Sequence, residues 1–187
     1  MHPSLLIVKE NIGNNRNLGL VLSKLNAKRF VEVGVFAGAN FRNMIQSNFD
    51  QGVAVDLWKS ETDDIKTPQE TMDAFYQSLL QLSQENHKVT VHRMSSEEAS
   101  KLYSDNHFDF VYLDANHTYD GVKSDIQFWY PKVKRNGIIS GHDYKTKRIR
   151  PGVICEVPRA VNEFVQEYSL ELYISPERCP SWYAVKK

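Results

Sequence analysis

FVEVGVFAGAN, residues 30–40, opens as a short apolar strand, carries one acid at Glu32, breaks at Gly34 and reaches a second glycine at Gly38. Gly34 permits a tight turn and close approach of a ligand to the backbone. Gly38 lets the helix that follows, GANFRNMIQSN, pack near the strand. An unpaired carboxylate inside an apolar strand is costly, so Glu32 is expected to accept hydrogen bonds or face a cation. Phe36 and Asn40 lie in the same loop and join the ligand-contact candidates.

The next strand, GVAVDLW, ends on Asp56, followed by Trp58. An acid at the end of the second strand of such a unit is placed to bind a ribose diol. Gly34 and Gly38 read G-x-x-x-G, not the G-x-G-x-x-G that sets a pyrophosphate on a helix N-terminus. The pattern fits a nucleoside with a cationic tail better than a dinucleotide. Trp58 is a candidate platform for the base.

Outward from this stretch, strand and helix alternate. NNRNLGLVLSKL places Leu18, Val21, Leu22 and Leu25 on one helical face. TPQETMDAFYQSLLQL reads as a helix capped by Thr67, with Pro68 in the first turn and Glu70 completing a capping box. KVTVHR, FDFVYLD and IISGHDY are further strands. SSEEASKLY, YDGVKSDIQFWYPKV and PRAVNEFVQEY are further helices. LELYIS and SWYAVKK close the chain as a hairpin through a Pro-bearing turn. Such alternation predicts an α/β fold, a doubly wound, mostly parallel Rossmann-like sheet with helices on both faces. Ligands bind beyond the carboxyl ends of its strands.

The 187 residues suit one domain, 1–187, with residues 1–27 a helical extension. Lys plus Arg and Asp plus Glu both number 23, so no net charge favours nucleic acid or anionic membrane. No apolar run is long enough to span a bilayer, and the start lacks a basic leader segment. Cys155 and Cys179 have no C-x-x-C spacing and read as reduced thiols of a cytoplasmic protein.

LDANHTYDGVKSDI, residues 113–126, puts Asp114 and His117 where a buried strand meets solvent; SGHDY puts His142 and Asp143 at the end of the next strand. Two carboxylates and two imidazoles are thereby offered at neighbouring strand ends. Asp114 and Asp143 suit a hard cation such as Mg²⁺, with His142 or His117 a further ligand if the metal is softer. His117 or His142 suits a general base. Between strand and helix, YKTKRIRPGVICEV is a basic linker carrying Lys145, Lys147, Arg148 and Arg150, read as a solvated loop or a lid over the acceptor.

Together VEVGVFAGAN, VDLW, LDANHTYDGVKSDI, NGIISGHDY and GVICEVPRAVNEF resemble the successive motifs of class I S-adenosylmethionine-dependent methyltransferases. The branch is methyltransferase family 24, related to cephalosporin-hydroxylase-like and sugar O-methyltransferase-like proteins. The resemblance runs from about residue 28 to the C-terminus. It implies a seven-stranded sheet with an antiparallel C-terminal strand, and S-adenosylmethionine as cofactor. Glu32, Gly34 and Gly38 would lie beneath its methionine part, Asp56 on the ribose, Ser95 and Ser96 beside the adenine, and Asp114 at the same site. The family often has Gly after the fourth-strand acid; here the residue is Ala115. Related O-methyltransferases hold a divalent cation at these strand ends, which would make Asp114, His142 and Asp143 ligands and His117, His142 and Asp143 the catalytic set. The implied reaction is O-methylation of a hydroxyl on a small molecule such as a sugar or natural product. With little chain left over to cap a substrate, a second copy in a homo-oligomer could complete the site. A nicotinamide-dependent oxidoreductase is the alternative within the fold, disfavoured by the missing G-x-G-x-x-G. A non-catalytic binding module would predict no convergence of Asp114, His117, His142 and Asp143 around an open pocket.

Overall fold

A computed structural model of the chain describes residues 1–13, 16–60, 67–150 and 153–187. The strands are β1 (Arg29–Val33), β2 (Gln51–Asp56), β3 (Val89–Arg93), β4 (Phe108–Leu113), β5 (Val133–Gly141), β6 (Lys147–Arg150), β7 (Val153–Cys155), β8 (Leu172–Ile174) and β9 (Trp182–Val185). The helices are α1 (Pro3–Asn11), α2 (Leu18–Leu25), α3 (Ala39–Met44), α4 (Gln69–Glu85), α5 (Ser96–Ser100), α6 (Tyr119–Trp129) and α7 (Val157–Glu167).

Seven strands form one sheet in the order β3-β2-β1-β4-β5-β9-β8. β1 pairs in parallel with β2 and β4, β2 with β3, and β4 with β5, whereas β9 runs antiparallel between β5 and β8. Strand alternation sorts the core onto the two faces. Phe30, Ala54, Phe110, Tyr112 and Ile138 pack with α1 to α4; Val31, Val33, Val53, Val55, Val111 and Ile139 pack with α6 and α7. Both faces are covered, as a parallel sheet requires. The expected extension is α1 and α2, which pack on each other, on α3 and on β9. Among the described residues no helix is long and apolar enough to cross a membrane.

Two local expectations fail. α4 begins at Gln69 with Pro68 as its cap residue and no side-chain cap, so Thr67 and Glu70 form no capping box. The Thr67 amide instead donates to Ser60 O (2.9 Å), and the Gln69 carboxamide bonds the Ser60 amide, Trp58 O and Asp73. These bonds tie the chain before the helix to the β2 loop and leave Pro68 to set its entry. The capping box lies at α5, where Ser95 Oγ accepts from the Glu98 amide and Glu98 accepts from the Ser95 amide. The basic linker is not a plain loop: β6 and β7 make an antiparallel ribbon. Its Pro-Gly, residues 151–152, and the side chains of Arg148 and Arg150 lie outside the described residues.

Candidate active site

The carboxyl ends of β1, β2 and β4 open into a cleft of about 490 Å³. At its floor Gly34 turns with φ +85°, in the left-handed region. A Cβ built there would stand 2.2 Å from the Asp114 carbonyl oxygen. The close approach expected of Gly34 is thus to the β4 backbone, where it locks the first and fourth strand ends together. Gly38 caps α3 in the same left-handed region.

Asp56 ends β2 and accepts from the amides of Phe36 and Trp58, both at 2.8 Å. Phe36 and Trp58 both have positive φ. The two loops at the cleft are therefore folded around this one carboxylate, which keeps unused lone pairs for a ligand. Phe36, Asp56, Ser95, Ser96, Asp114 and Gly34 all line the cleft. The Ser95 hydroxyl is engaged in capping α5, and Ser96 Oγ accepts from Trp129 Nε1 at 2.9 Å.

Trp58 needs correction. Its positive φ turns the indole inward, where it is fully buried against Tyr76 and donates through Nε1 to Phe36 O (2.9 Å). It braces the loop and cannot serve as a base platform. Glu32, Gly38 and Asn40 do not line the cleft either. Glu32 lies beneath it, with Ala54 and Tyr112 as its register partners on either side. It is 1% exposed, and its Oε2 has no hydrogen-bond partner among the described residues. Burial, then the neighbouring Asp114, hold its pKa well above the ordinary carboxylate value.

Sequence reading missed Asp125. This acid of α6 faces the cleft beside Ser124 and Phe128. Burial pushes its pKa up to about 6, against a hydrogen bond from Ser96 and the nearby His117. Its only sequence signal is an acid on the apolar stripe that holds Val122, Ile126 and Trp129.

Beside the cleft, sharing Asp114 with it, the four expected groups converge. Asn116 Oδ1 accepts from the Thr118 amide and hydroxyl, and Thr118 caps α6, so His117 is held at the turn between strand and helix. Gly141 lets β5 run against Leu113 O and the Trp182 indole; a Cβ there would meet them at 2.4 and 2.7 Å. Asp143 then takes φ +53° and turns its side chain back. His117 Nε2 stands 3.3 Å from Asp114 Oδ1 and 3.1 Å from Asp143 Oδ2. His142 Nδ1 stands 3.5 and 3.1 Å from the same two oxygens. Asp143 Oδ1 is held by Lys147 and by the Cys179 thiol.

Burial would lower the His142 pKa, but hydrogen bonds to Asp114 and Asp143 outweigh it and push it up to about 9. Burial would raise that of Asp143, but His117, His142, Cys179 and Lys147 donate to it and hold it far below the usual carboxylate range. The helical extension adds a residue that sequence reading did not single out. Arg16 reaches Glu177 (3.1 Å), Asn40 (3.2 Å) and His142 Nε2 (2.5 Å).

Comparison with known proteins agrees with this geometry. The profile of methyltransferase family 24, described as a methyltransferase domain, matches residues 31–144. No curated protein matches the chain. Among solved structures, a Bacillus cereus O-methyltransferase in complex with S-adenosylhomocysteine is 12% identical, with TM-score 0.64 over 98% of this chain and 90% of that one. A Podospora anserina methyltransferase bound to S-adenosylhomocysteine is 13% identical, with TM-score 0.65 over 91% and 76%. Spermidine synthase of Thermotoga maritima, 13% identical, overlays 87% of this chain at TM-score 0.58, and the chain spans only 54% of its length. The profile covers more than half of the 187 residues, and the strand order and the neighbours agree on the fold. The chain belongs to methyltransferase family 24, on the class I S-adenosylmethionine-dependent methyltransferase fold.

Proposed function

We propose that the protein transfers a methyl group from S-adenosylmethionine to a hydroxyl of a small molecule. One observation carries this reading: the cleft and the Asp/His cluster meet at Asp114, so a donor in one and an acceptor at the other would be adjacent. The chain's residues fit the cofactor. Asp56 is pre-oriented by two amides and can still accept from a diol. Bound S-adenosylmethionine supplies an electrophilic methyl on a sulfonium.

The protein must then hold the acceptor in line and take its proton. His117 stands where an acceptor hydroxyl could lose that proton, and Asp114 and Asp143 would steady the imidazolium formed; His142, which the same carboxylates hold protonated, would add positive charge beside it rather than take the proton. A divalent cation at the same carboxylates, expected from the resemblance, fits the donor set, which contains two clusters of potential ligand atoms. Neither a nicotinamide enzyme nor a passive module calls for two imidazoles converging on two carboxylates.

The test is calorimetric titration with S-adenosylhomocysteine, S-adenosylmethionine and NAD in parallel. Binding of the first two alone is expected; tight NAD binding would replace this reading with the oxidoreductase. Asp56→Ala should weaken S-adenosylhomocysteine binding by about 1–3 kcal/mol, the scale of charged hydrogen bonds lost. Undiminished affinity in that folded variant would remove Asp56 from the ribose.

A further inference from the structure

Sheet order fixes how a nucleoside would lie along the cleft. β3, β2, β1 and β4 are consecutive neighbours. The reactive methyl belongs at Asp114, beyond β4, where the Asp/His cluster stands. The ribose belongs at Asp56, beyond β2. The base then lies beyond β3, against Met94, Ser95 and Ser96. The two serines are already committed, each as donor and as acceptor. Ser95 Oγ donates to Glu98 at 2.6 Å and accepts from the Glu98 amide at 3.2 Å. Ser96 Oγ accepts from Trp129 Nε1 at 2.9 Å and gives its hydrogen to Asp125.

Asp125 projects from α6, which packs beside α5, so it reaches the β3 end of the cleft although its helix follows β4. Among the described residues it is the buried acid of the cleft, 6% exposed, whereas Asp56 and Asp114 are half-buried and Glu97 is exposed. A buried carboxylate is costly unless its lone pairs are taken. It has about four acceptor sites, and the bond from Ser96 fills one.

We propose, resting on the methyl-transfer reading for the identity of the cofactor, that Asp125 selects its nucleobase by accepting a hydrogen bond from the 6-amino group of adenine. Met94 and Phe128 line the same end of the cleft and give the purine apolar walls. An acceptor in a buried wall favours a base that brings a donor and is left unpaired by one that does not. A base with a carbonyl at that position would set oxygen against oxygen.

The experiment is calorimetric titration of the full chain at pH 8 with S-adenosylhomocysteine and with its 6-deamino analogue, which carries purine in place of adenine. The two ligands differ by the amino group alone. The wild type is expected to bind the analogue at least about tenfold more weakly, the scale of a hydrogen bond to a charged group. Asp125→Leu, which keeps the branched shape and removes both oxygens, should bind the two ligands within about twofold of each other. Asp125→Asn, whose carboxamide oxygen accepts without charge, should fall between. A carboxylate that only braces α5 against α6 would move both affinities together and leave their ratio unchanged. Equal affinities in the wild type, or the wild-type ratio preserved in Asp125→Leu, would overturn the assignment. If Asp125→Leu does not fold, the full wild-type ratio in Asp125→Asn overturns it instead. A wild type that binds both ligands equally removes Asp125 alone; one that binds neither removes the methyl-transfer reading and this assignment with it.

Discussion

Asp125 shows how much one side chain can report. It is buried, and its pKa is raised from 3.8 to about 6, so the folded protein binds this proton more tightly than the unfolded chain. Stability therefore falls as pH rises between about 4 and 6, and above that window the ionised group opposes folding. Asp125→Asn should raise stability at pH 8 by up to about 3 kcal/mol relative to wild type, an advantage that fades toward pH 4. Urea unfolding at the two pH values checks it; an equal difference at both would show that Asp125 ionises normally. Gly34 gives a prediction of the opposite sign. Its positive φ and the 2.2 Å approach to Asp114 O leave no room for a Cβ, so Gly34→Ala should destabilise by about 2–4 kcal/mol in thermal or urea unfolding. Wild-type stability in that variant would mean the strand ends are not locked there. At this scale the sequence was partly legible. Asp56, Asp114, His117, His142 and Asp143 declared themselves as polar groups at the ends of apolar strands, and Glu32 as an acid inside one. Trp58 did not, because whether an aromatic faces core or cleft turned on a left-handed φ that a non-glycine residue seldom signals.

Helices and strands decide which of those residues meet. The α1–α2 extension contributes more than packing, because the turn between them carries Arg16 to His142 and Glu177. A guanidinium only donates, so its approach to His142 Nε2 requires the lone pair there and the proton on Nδ1. Arg16→Ala should lower stability by about 1–3 kcal/mol by removing the ion-pair partner of buried Glu177. Chemical denaturation measures the effect; wild-type stability in that variant would mean that Arg16 does not tie the extension to the site. None of this was legible beforehand, since the contact spans 126 residues and no local pattern announces it. The capping error at Thr67 has a similar origin. The motif was present, but Gln69 found better partners in the β2 loop, and tertiary bonds overrode the local signal.

At the scale of the molecule, alternating strands and helices were enough to specify a parallel sheet and the end of it that binds. The place of β9 was not. Leu172–Ile174 and Trp182–Val185 are similarly apolar, yet β9 sits fully buried beside β5 and β8 takes the edge, an order set by packing and not by pattern. What the sheet order does is bring β1, β2 and β4 together at its centre, with the cleft at their ends. A ligand that spans those ends ties the loops of the three central strands to one another, and it can bind only when they are assembled. Its binding should therefore stabilise the whole fold by linkage: about 2.7 kcal/mol at a concentration one hundred times its Kd. For a chain of this size that is a rise of roughly 5–10 °C in Tm. S-adenosylhomocysteine should produce this shift and should slow amide exchange at Gly34, Phe36 and Trp58, whose loops enclose the cleft, while exchange at the β8 edge stays closer to that of the free protein. NAD at the same concentration should leave both unchanged. A shift with NAD and none with S-adenosylhomocysteine would mean that the central cleft, though formed as the fold requires, takes a different nucleotide.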